Sequence, residues 1–217
     1  MGKQQFKILV FLFVLALALM AGDSLGIQDK AGITKSYQKA FEISYKMTSS
    51  GKYSEAIKPL MALHEQDPSD YTVALRLGYL NNLKGDLKAS IRFYKRAVQL
   101  RPKAVEPLVG LILPLMAKMD YRAAVAAGIS ALKLDPGNYT CLSNVAYSYY
   151  LLDEYKNAAK FYKKILEFYP TDITMRNGLG WSYLESGEKA KAKKEFTKIL
   201  LLSPYNQSAL FGFHKAK

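Results

Sequence analysis

The side chains that most often carry out catalysis or bind metal ions are few in this sequence and lie far apart. The chain has one cysteine, Cys141, and two histidines, His64 and His214, which are separated by 150 residues. A single cysteine cannot form an intramolecular disulfide, and these histidines belong to no ligand set for a metal. No glycine-rich phosphate loop or nucleophile–histidine pair is present. We therefore predict that the protein is not an enzyme and requires no cofactor and no metal.

Proline supplies the regular spacing that these reactive side chains lack. Pro68, Pro102, Pro136, Pro170 and Pro204 follow one another at intervals of 34 residues. A fixed period of about 20–50 residues indicates a repeat array, in which each repeat buries its apolar face against its neighbours. Five repeats result, with the bounds 37–70, 71–104, 105–138, 139–172 and 173–206.

Counting back from each proline aligns small residues at two positions of every repeat. Twelve residues before the prolines stand Ala56, Ser90, Ala124, Ala158 and Ala192, and 24 residues before them stand Ser44, Gly78, Ile112, Ala146 and Gly180. Small side chains in two segments allow two helices to approach closely. A turn between the helices is indicated at Gly51, Gly85, Asp153 and Gly187. N-caps for the first helices are indicated at Asp70, Asn138, Asp172 and Asn206.

This pattern resembles the tetratricopeptide repeat family, whose 34-residue unit carries Leu-Gly, Tyr, Ala, Phe and Pro at set positions. The fifth repeat shows it best, with Leu179-Gly180, Tyr183, Ala192, Phe196 and Pro204. The resemblance implies an all-α solenoid of five helix-turn-helix repeats over 37–206, preceded by a lead-in at 27–36 and closed by a capping helix at 207–217. The opening tryptophan of the family pattern is absent, and Arg176 occupies its place in the fifth repeat.

The third repeat departs most from the pattern. Ile112 stands where a small residue is usual, and Gly128 stands where a bulky one is usual. Pro114 falls in the middle of a predicted helix, as does Pro59 in the first repeat. An interior proline costs about 3 kcal/mol and usually kinks a helix. We expect either tolerated local drift or a bend at the third repeat.

The resemblance also implies a binding groove, because the first helices of such repeats line a concave surface. Four of the five residues at the ninth repeat position are aromatic, and exposed aromatic patches mark binding sites. The alternative is that several of these side chains pack between repeats. The predicted partner-binding groove comprises Phe41, Tyr45, Leu75, Tyr79, Val109, Leu113, Met116, Tyr147, Tyr150, Asn177 and Trp181.

The N-terminal segment, residues 1–26, lies outside the repeats and predicts export. Lys3 and Lys7 precede an unbroken apolar run at 8–21, and small residues end at Gly26. This order is typical of a secretory signal peptide, with cleavage favoured after Gly26 and an earlier cut near Ala21 or Gly22 as the alternative. The alternative is a retained membrane anchor formed by 8–21, although a spanning helix needs about 20 apolar residues. Either reading places the repeats outside the cytoplasm, and we predict a periplasmic location.

Charge and export together define the predicted partners. The formal net charge is +13, from 31 Lys+Arg against 18 Asp+Glu. We predict a scaffold of the cell envelope that binds a protein or peptide in the aromatic groove, and we expect no nucleic-acid partner because the chain is exported. One alternative is a carbohydrate-binding scaffold in polysaccharide export or outer-membrane assembly. Another is a basic platform on anionic lipid, formed by Lys160, Lys163, Lys164, Lys193, Lys194 and Lys198.

Overall fold

The computed structural model describes residues 35–217, which fold into eleven α-helices and contain no β-strand. The helices are α1 (35–49), α2 (Tyr53–Gln66), α3 (Tyr71–Lys84), α4 (Leu87–Leu100), α5 (Glu106–Ala117), α6 (Tyr121–Leu134), α7 (Tyr139–Leu151), α8 (Tyr155–Phe168), α9 (Ile173–Glu185), α10 (Lys189–Leu202) and α11 (Gln207–Lys215). The predicted fold class, five helix pairs and a terminal helix, is confirmed. Helix α1 includes residues 35 and 36, which we had assigned to the lead-in. The predicted signal segment lies outside the described residues.

The chain divides into two compact units, one ending at Gln66 and the other running from Asp67 to Lys217. The described part of the N-terminal unit is the pair α1 and α2, whose buried residues include Ala40, Ser44, Ala56 and Leu60. Pro59 lies inside α2, which continues past it. In the C-terminal unit α3 packs on α4, α5 on α6, α7 on α8 and α9 on α10, while α11 packs on α9 and α10. We call α3, α5, α7 and α9 its first helices and their partners its second helices.

The turn inside each helix pair needs a left-handed backbone residue. Gly85 and Gly187 have φ values of 84° and 83°, and Asp153 has a φ of 58°. These are turn positions that the sequence predicted, since glycine and aspartate tolerate this conformation better than most residues. In the third repeat the same role falls to Met119, with a φ of 61°. The sequence did not mark this turn, because methionine has no preference for it.

Side-chain caps begin the first helices where the sequence predicted them. The backbone N–H of Val73 donates to Asp70 Oδ1 at 2.9 Å, and that of Met175 donates to Asp172 Oδ1 at 3.0 Å. Asn138 and Asn206 cap α7 and α11 in the same way. Helix α5 begins after Val105 with no side-chain cap bond, and the sequence has Ala104 where the other repeats have Asp or Asn. Each cap satisfies an N–H group that has no partner within its helix.

Aromatic side chains from the second helices fit against glycines of the first helices. The ring of Phe196 lies so close to Gly180 and Gly212 that a Cβ atom on either glycine would fall within 2.7 Å of a ring carbon. The ring therefore occupies the space between α9 and α11. This contact explains the recurrence of small residues at the same repeat position.

The third repeat exchanges the sizes of the two residues at this contact. A Cβ on Gly128 would lie 2.2 Å from Val145 Cγ2 and 3.5 Å from Ile112 Cδ1. Ile112 and Val145 are both fully buried, so their side chains take the volume that an aromatic ring fills in other repeats. Pro114 is also buried, and α5 continues through it to Ala117. The irregular residues thus compensate one another in volume, and the bend expected at Pro114 stays a prediction.

Candidate functional site

The first helices of the C-terminal unit form the inner side of its stack. Successive first helices contact one another, α3 with α5, α5 with α7 and α7 with α9, and α9 contacts α11. No comparable contact joins two second helices between residues 67 and 217. Helices that lie closer together in a curved stack are on its inside, so side chains that project from the first helices away from the second helices face the inner surface.

Three residues at the ninth repeat position lie on this surface and remain exposed. Tyr79 is 42% exposed, Leu113 is 51% exposed and Tyr147 is 48% exposed. We call these three residues the inner stripe. Since they belong to successive first helices, they form a row across the stack. Large apolar side chains that remain exposed to solvent in such a row are typical of a binding surface.

The other predicted groove residues of α3, α5 and α7 are half-buried. Leu75, Val109 and Met116 pack against the core cluster that contains Leu111 and Leu115. Tyr150 packs against the cluster around Ala158 and Tyr162. These predicted groove residues therefore have a packing role as well, and only part of each side chain is available to a ligand.

Two of the predicted groove residues, Trp181 and Asn177, lie on α9 and contact helix α11. Trp181 Nε1 donates to Ser208 Oγ at 2.9 Å, and Ser208 Oγ donates to Asn177 Oδ1 at 3.1 Å. The Trp181 ring stacks on Phe211 with 6.0 Å between ring centroids, and Lys215 Nζ lies 5.7 Å from the ring centroid. Trp181 and Asn177 thus attach the terminal helix, so a substitution at Trp181 would disturb the stack as well as any groove.

The remaining two predicted groove residues belong to the N-terminal unit. Phe41 is half-buried, and Tyr45 is 59% exposed. Both lie on α1 one turn apart, and their ring centroids are 6.4 Å apart. Tyr37 extends the row, with its ring 4.8 Å from that of Phe41. Within its own unit α1 therefore carries a continuous aromatic face, which the sequence indicated only in part.

Two tyrosines of the second helices, Tyr94 and Tyr162, also reach the inner side, and neither belongs to the groove predicted from the sequence. Burial raises the pKa of Tyr94 to about 12, with a further contribution from nearby Tyr79, while the cation of Arg76 opposes the shift. Burial likewise raises the pKa of Tyr162, helped by Tyr147 and Tyr150. Both phenols are therefore neutral at physiological pH. A bulky residue eight positions before the proline was their only signal in the sequence.

Reactive side chains form no site in the part of the chain that the structure describes. Cys141 is buried, and burial raises the pKa of its thiol to about 11, which suppresses the nucleophilic thiolate. Within 35–217 no group of three or more His, Cys, Asp or Glu side chains could hold a metal ion. That the protein is not an enzyme stays a prediction.

A cavity of about 280 Å³ lies over α9, between α8 and α10. Two of its cations share one carboxylate, since Arg176 Nη1 donates to Glu195 Oε2 at 2.6 Å and Lys198 Nζ donates to Glu195 Oε1 at 2.8 Å. Arg176 and Glu195 are both buried. We interpret this cluster as an internal ion pair that occupies the place of the family's opening tryptophan, rather than as a ligand site.

Two second helices of the C-terminal unit are strongly basic. Helix α8 carries four lysines and one glutamate, and α10 carries five lysines and one glutamate. Of the six lysines predicted to form a basic platform, Lys198 is paired with Glu195 and Lys193 lies 5.0 Å from the Phe213 ring centroid. None of the described helices is long and apolar enough to span a bilayer.

Comparison with known proteins identifies the family. Models described as tetratricopeptide repeat match residues 49–105, 115–173 and 173–206, which is more than half of the chain. The chain therefore belongs to the tetratricopeptide repeat family, whose fold serves as a scaffold for protein–protein interaction. The search of curated protein sequences found no match.

Solved structures of similar fold include a crystal structure of MamA protein, at 22% identity and a TM-score of 0.73, covering 77% of this chain and 91% of that one. A tetratricopeptide repeat protein from Parabacteroides merdae is similar at 20% identity and a TM-score of 0.74, covering 84% of this chain and 72% of that one. MamA 41-end from Desulfovibrio magneticus RS-1 is similar at 16% identity and a TM-score of 0.72, covering 79% and 97%. These likenesses support the fold alone.

Proposed function

We propose that the protein is a non-enzymatic scaffold of the cell envelope that binds a segment of a partner polypeptide along the inner surface of its first helices. The observation that carries this proposal is the inner stripe of Tyr79, Leu113 and Tyr147, which stays exposed although each residue is large and mainly apolar. Tyrosine suits such a role because it buries much area with few rotatable bonds and offers a polar tip.

Selection of short random peptides displayed on phage against the full chain tests this proposal directly. Peptides that bind the inner stripe should lose affinity by about tenfold or more when Tyr79 or Tyr147 is changed to Ala, since interface aromatics are frequent hot spots. Moderate salt should change the affinity little, because the contact is mainly apolar. Trp181 is left unchanged, since it holds α11 in place.

Tyr205 supplies the matched control. It is 87% exposed and lies in the turn before α11, outside every helix. Tyr205→Ala should leave peptide affinity unchanged, while circular dichroism confirms that all variants stay folded. Peptides that bind equally well to Tyr79→Ala, Tyr147→Ala and the unmodified protein would show that the inner stripe is not the binding surface.

The carbohydrate alternative rests on the same exposed rings, which can stack on sugars. It predicts that soluble oligosaccharides bind to the protein and displace any groove-bound peptide. Both effects should disappear in the Tyr79→Ala, Tyr147→Ala double variant. Oligosaccharide that has no effect on peptide binding and none on tyrosine fluorescence would remove this alternative.

The basic second helices favour one further candidate, an anionic lipid surface. Lys160, Lys163 and Lys194 are exposed on α8 and α10. Binding to vesicles that contain anionic lipid should then weaken steeply with salt, because exposed charges are screened within about 10 Å at 0.1 M ionic strength. Charge reversal at these three lysines should abolish vesicle binding and leave peptide binding intact.

The envelope location is a proposal from the sequence of residues 1–26, where Lys3 and Lys7 precede the apolar run 8–21. Expression in a bacterial host, followed by fractionation and N-terminal sequencing, tests it. A periplasmic product that begins after Gly26 supports cleavage, and a membrane-bound product that keeps the segment supports the anchor. A product in the cytoplasm that begins at Met1 would contradict export.

A further inference from the structure

The rings of Tyr94 and Tyr162 pass between first helices of neighbouring repeats. A Cβ on Gly78 would lie 2.8 Å from Tyr94 Cγ, and a Cβ on Gly110 would lie 2.5 Å from Tyr94 Cζ. A Cβ on Gly178 would lie 2.5 Å from Tyr162 Cζ. The base of the Tyr94 ring is therefore beside α3, and its hydroxyl end is beside α5. Because Gly78 and Gly110 flank the Tyr94 ring and Gly178 flanks the Tyr162 ring, both rings have room to reach through the layer of first helices.

The hydroxyl ends of both rings lie close to the inner stripe. The electrostatic neighbours of the Tyr94 phenol are Tyr79 and Arg76, and those of the Tyr162 phenol are Tyr147 and Tyr150. All four neighbours are on first helices. The two hydroxyls thus emerge at the floor of the predicted groove rather than on the outer face of the second helices.

Neither hydroxyl has a hydrogen-bond partner among residues 35–217, although both residues are only 5% exposed. Neither oxygen is among the fully enclosed polar atoms without a partner, so each keeps contact with solvent. A phenol can both donate and accept one strong hydrogen bond. Two rigidly held hydroxyl groups at the floor of a groove are therefore ready to bond a ligand without losing side-chain freedom.

Only the second and fourth repeats have a tyrosine hydroxyl at this repeat position. The corresponding residues of the other repeats are Leu60, Gly128 and Phe196, which have no hydroxyl. The third repeat, between the two tyrosines, presents the exposed side chain of Leu113. Along the inner surface a hydroxyl, an apolar stretch and a second hydroxyl follow one another.

We propose that the Tyr94 and Tyr162 hydroxyl groups bond the main chain of the bound polypeptide on either side of an apolar contact centred on Leu113. This inference rests on the proposed function and adds the pattern that the partner must present. Packed helices lie about 8–10 Å apart, so two repeats span roughly 20 Å. An extended chain advances about 3.3 Å per residue, which places about six residues between the two bonded groups. The partner is an extended segment with apolar side chains between these points.

Peptides selected on the full chain provide the test, using Tyr94→Phe and Tyr162→Phe. Each substitution keeps the ring and removes only the hydroxyl, so the stack should remain folded with an unchanged unfolding midpoint. We expect each to weaken peptide binding by roughly 2- to 10-fold, the value of one net hydrogen bond. The two effects should multiply, because the sites are far apart. Tyr205→Phe in the exposed turn is the matched control.

An amide-to-ester scan of the peptide identifies the bonded atoms. An ester at one position of the peptide should weaken binding to the unmodified protein but should not weaken binding to the Tyr94→Phe variant any further. An ester at a second position, about six residues away, should show the same relation to the Tyr162→Phe variant. Peptides that need Tyr79 and Tyr147 but bind Tyr94→Phe and Tyr162→Phe normally would overturn this inference and leave the proposed function standing. Failure to select any peptide that depends on Tyr79 or Tyr147 would instead overturn both.

Discussion

The exchanged residues of the third repeat allow the packing argument to be tested by one substitution, Gly128→Ala. Gly128 lies inside α6, and a Cβ at this position would be 2.2 Å from Val145 Cγ2 on α7. Val145 is fully buried, and a valine in a helix has essentially one side-chain rotamer. The valine methyl therefore cannot rotate away from the added carbon.

Two opposing effects set the expected change in the free energy of unfolding. Alanine in a helix interior is favoured over glycine by about 1 kcal/mol. Overpacking a core costs about 1–3 kcal/mol, and the upper part of this range applies because ordinary carbon contacts are about 3.5–4.0 Å. We therefore expect Gly128→Ala to destabilise the protein by about 1–2 kcal/mol.

Removing the opposing methyl group of Val145 should make Gly128→Ala stabilising instead of destabilising. Val145→Ala alone should destabilise by about 2 kcal/mol through lost packing. In that background Gly128→Ala no longer meets Cγ2, so it should stabilise by up to about 1 kcal/mol. A coupling of this kind is expected only for residues in contact.

Urea unfolding followed by circular dichroism measures all four members of this cycle. Gly137→Ala is the control, since no atom lies within 4 Å of an added Cβ there, and its effect should stay within about 0.5 kcal/mol. If Gly128→Ala stabilised the unmodified protein as it does the Val145→Ala variant, α6 and α7 would not be packed as described.

Three further predictions concern stability. Met119→Gly should stabilise by about 1 kcal/mol, because a left-handed backbone is costly for a residue with a Cβ, and a higher urea midpoint would verify this. Tyr139→Phe should destabilise by about 1 kcal/mol, since it removes the 2.6 Å hydrogen bond that Tyr139 Oη donates to Asp172 Oδ2; an unchanged midpoint would show that this bond contributes nothing. Burial raises the pKa of Tyr94 to about 12, so the folded state holds this proton more tightly than the unfolded one. Its contribution should be complete below about pH 10 and disappear as the pH rises towards 12, and a stability that stays level across this range would refute the assignment.

The sequence predicted the repeat fold because its markers act locally. The residues that end or begin helices, such as Pro102, Gly85 and Asp172, constrain their own backbone or accept a bond from a residue three positions away. Such effects are the same in every repeat, so they recur at a fixed interval and can be read without knowing any partner. The sequence did not predict the turn at Met119, because its conformation is imposed by the helices on either side of it.

The groove was predicted only in outline. Tyr79, Leu113 and Tyr147, which were chosen by repeat position, are exposed in the structure, while their role in a groove stays a prediction. Trp181 was placed in the same row, yet its indole N–H donates to Ser208 and its ring stacks on Phe211 of the terminal helix. No repeat rule contains that information, because it depends on how α11 packs against α9.

The sequence by itself determined the period of 34 residues, the caps, most of the turns and the face of each first helix, since these depend on backbone preferences within one repeat. Only the tertiary structure decided how volume is shared between Ile112, Gly128 and Val145, and where the Tyr94 and Tyr162 hydroxyls emerge. Those outcomes depend on contacts between helices of neighbouring repeats, whose side chains fill space jointly. A repeat that looks defective in sequence can therefore pack well, and a tyrosine buried in the core can keep its hydroxyl in contact with solvent.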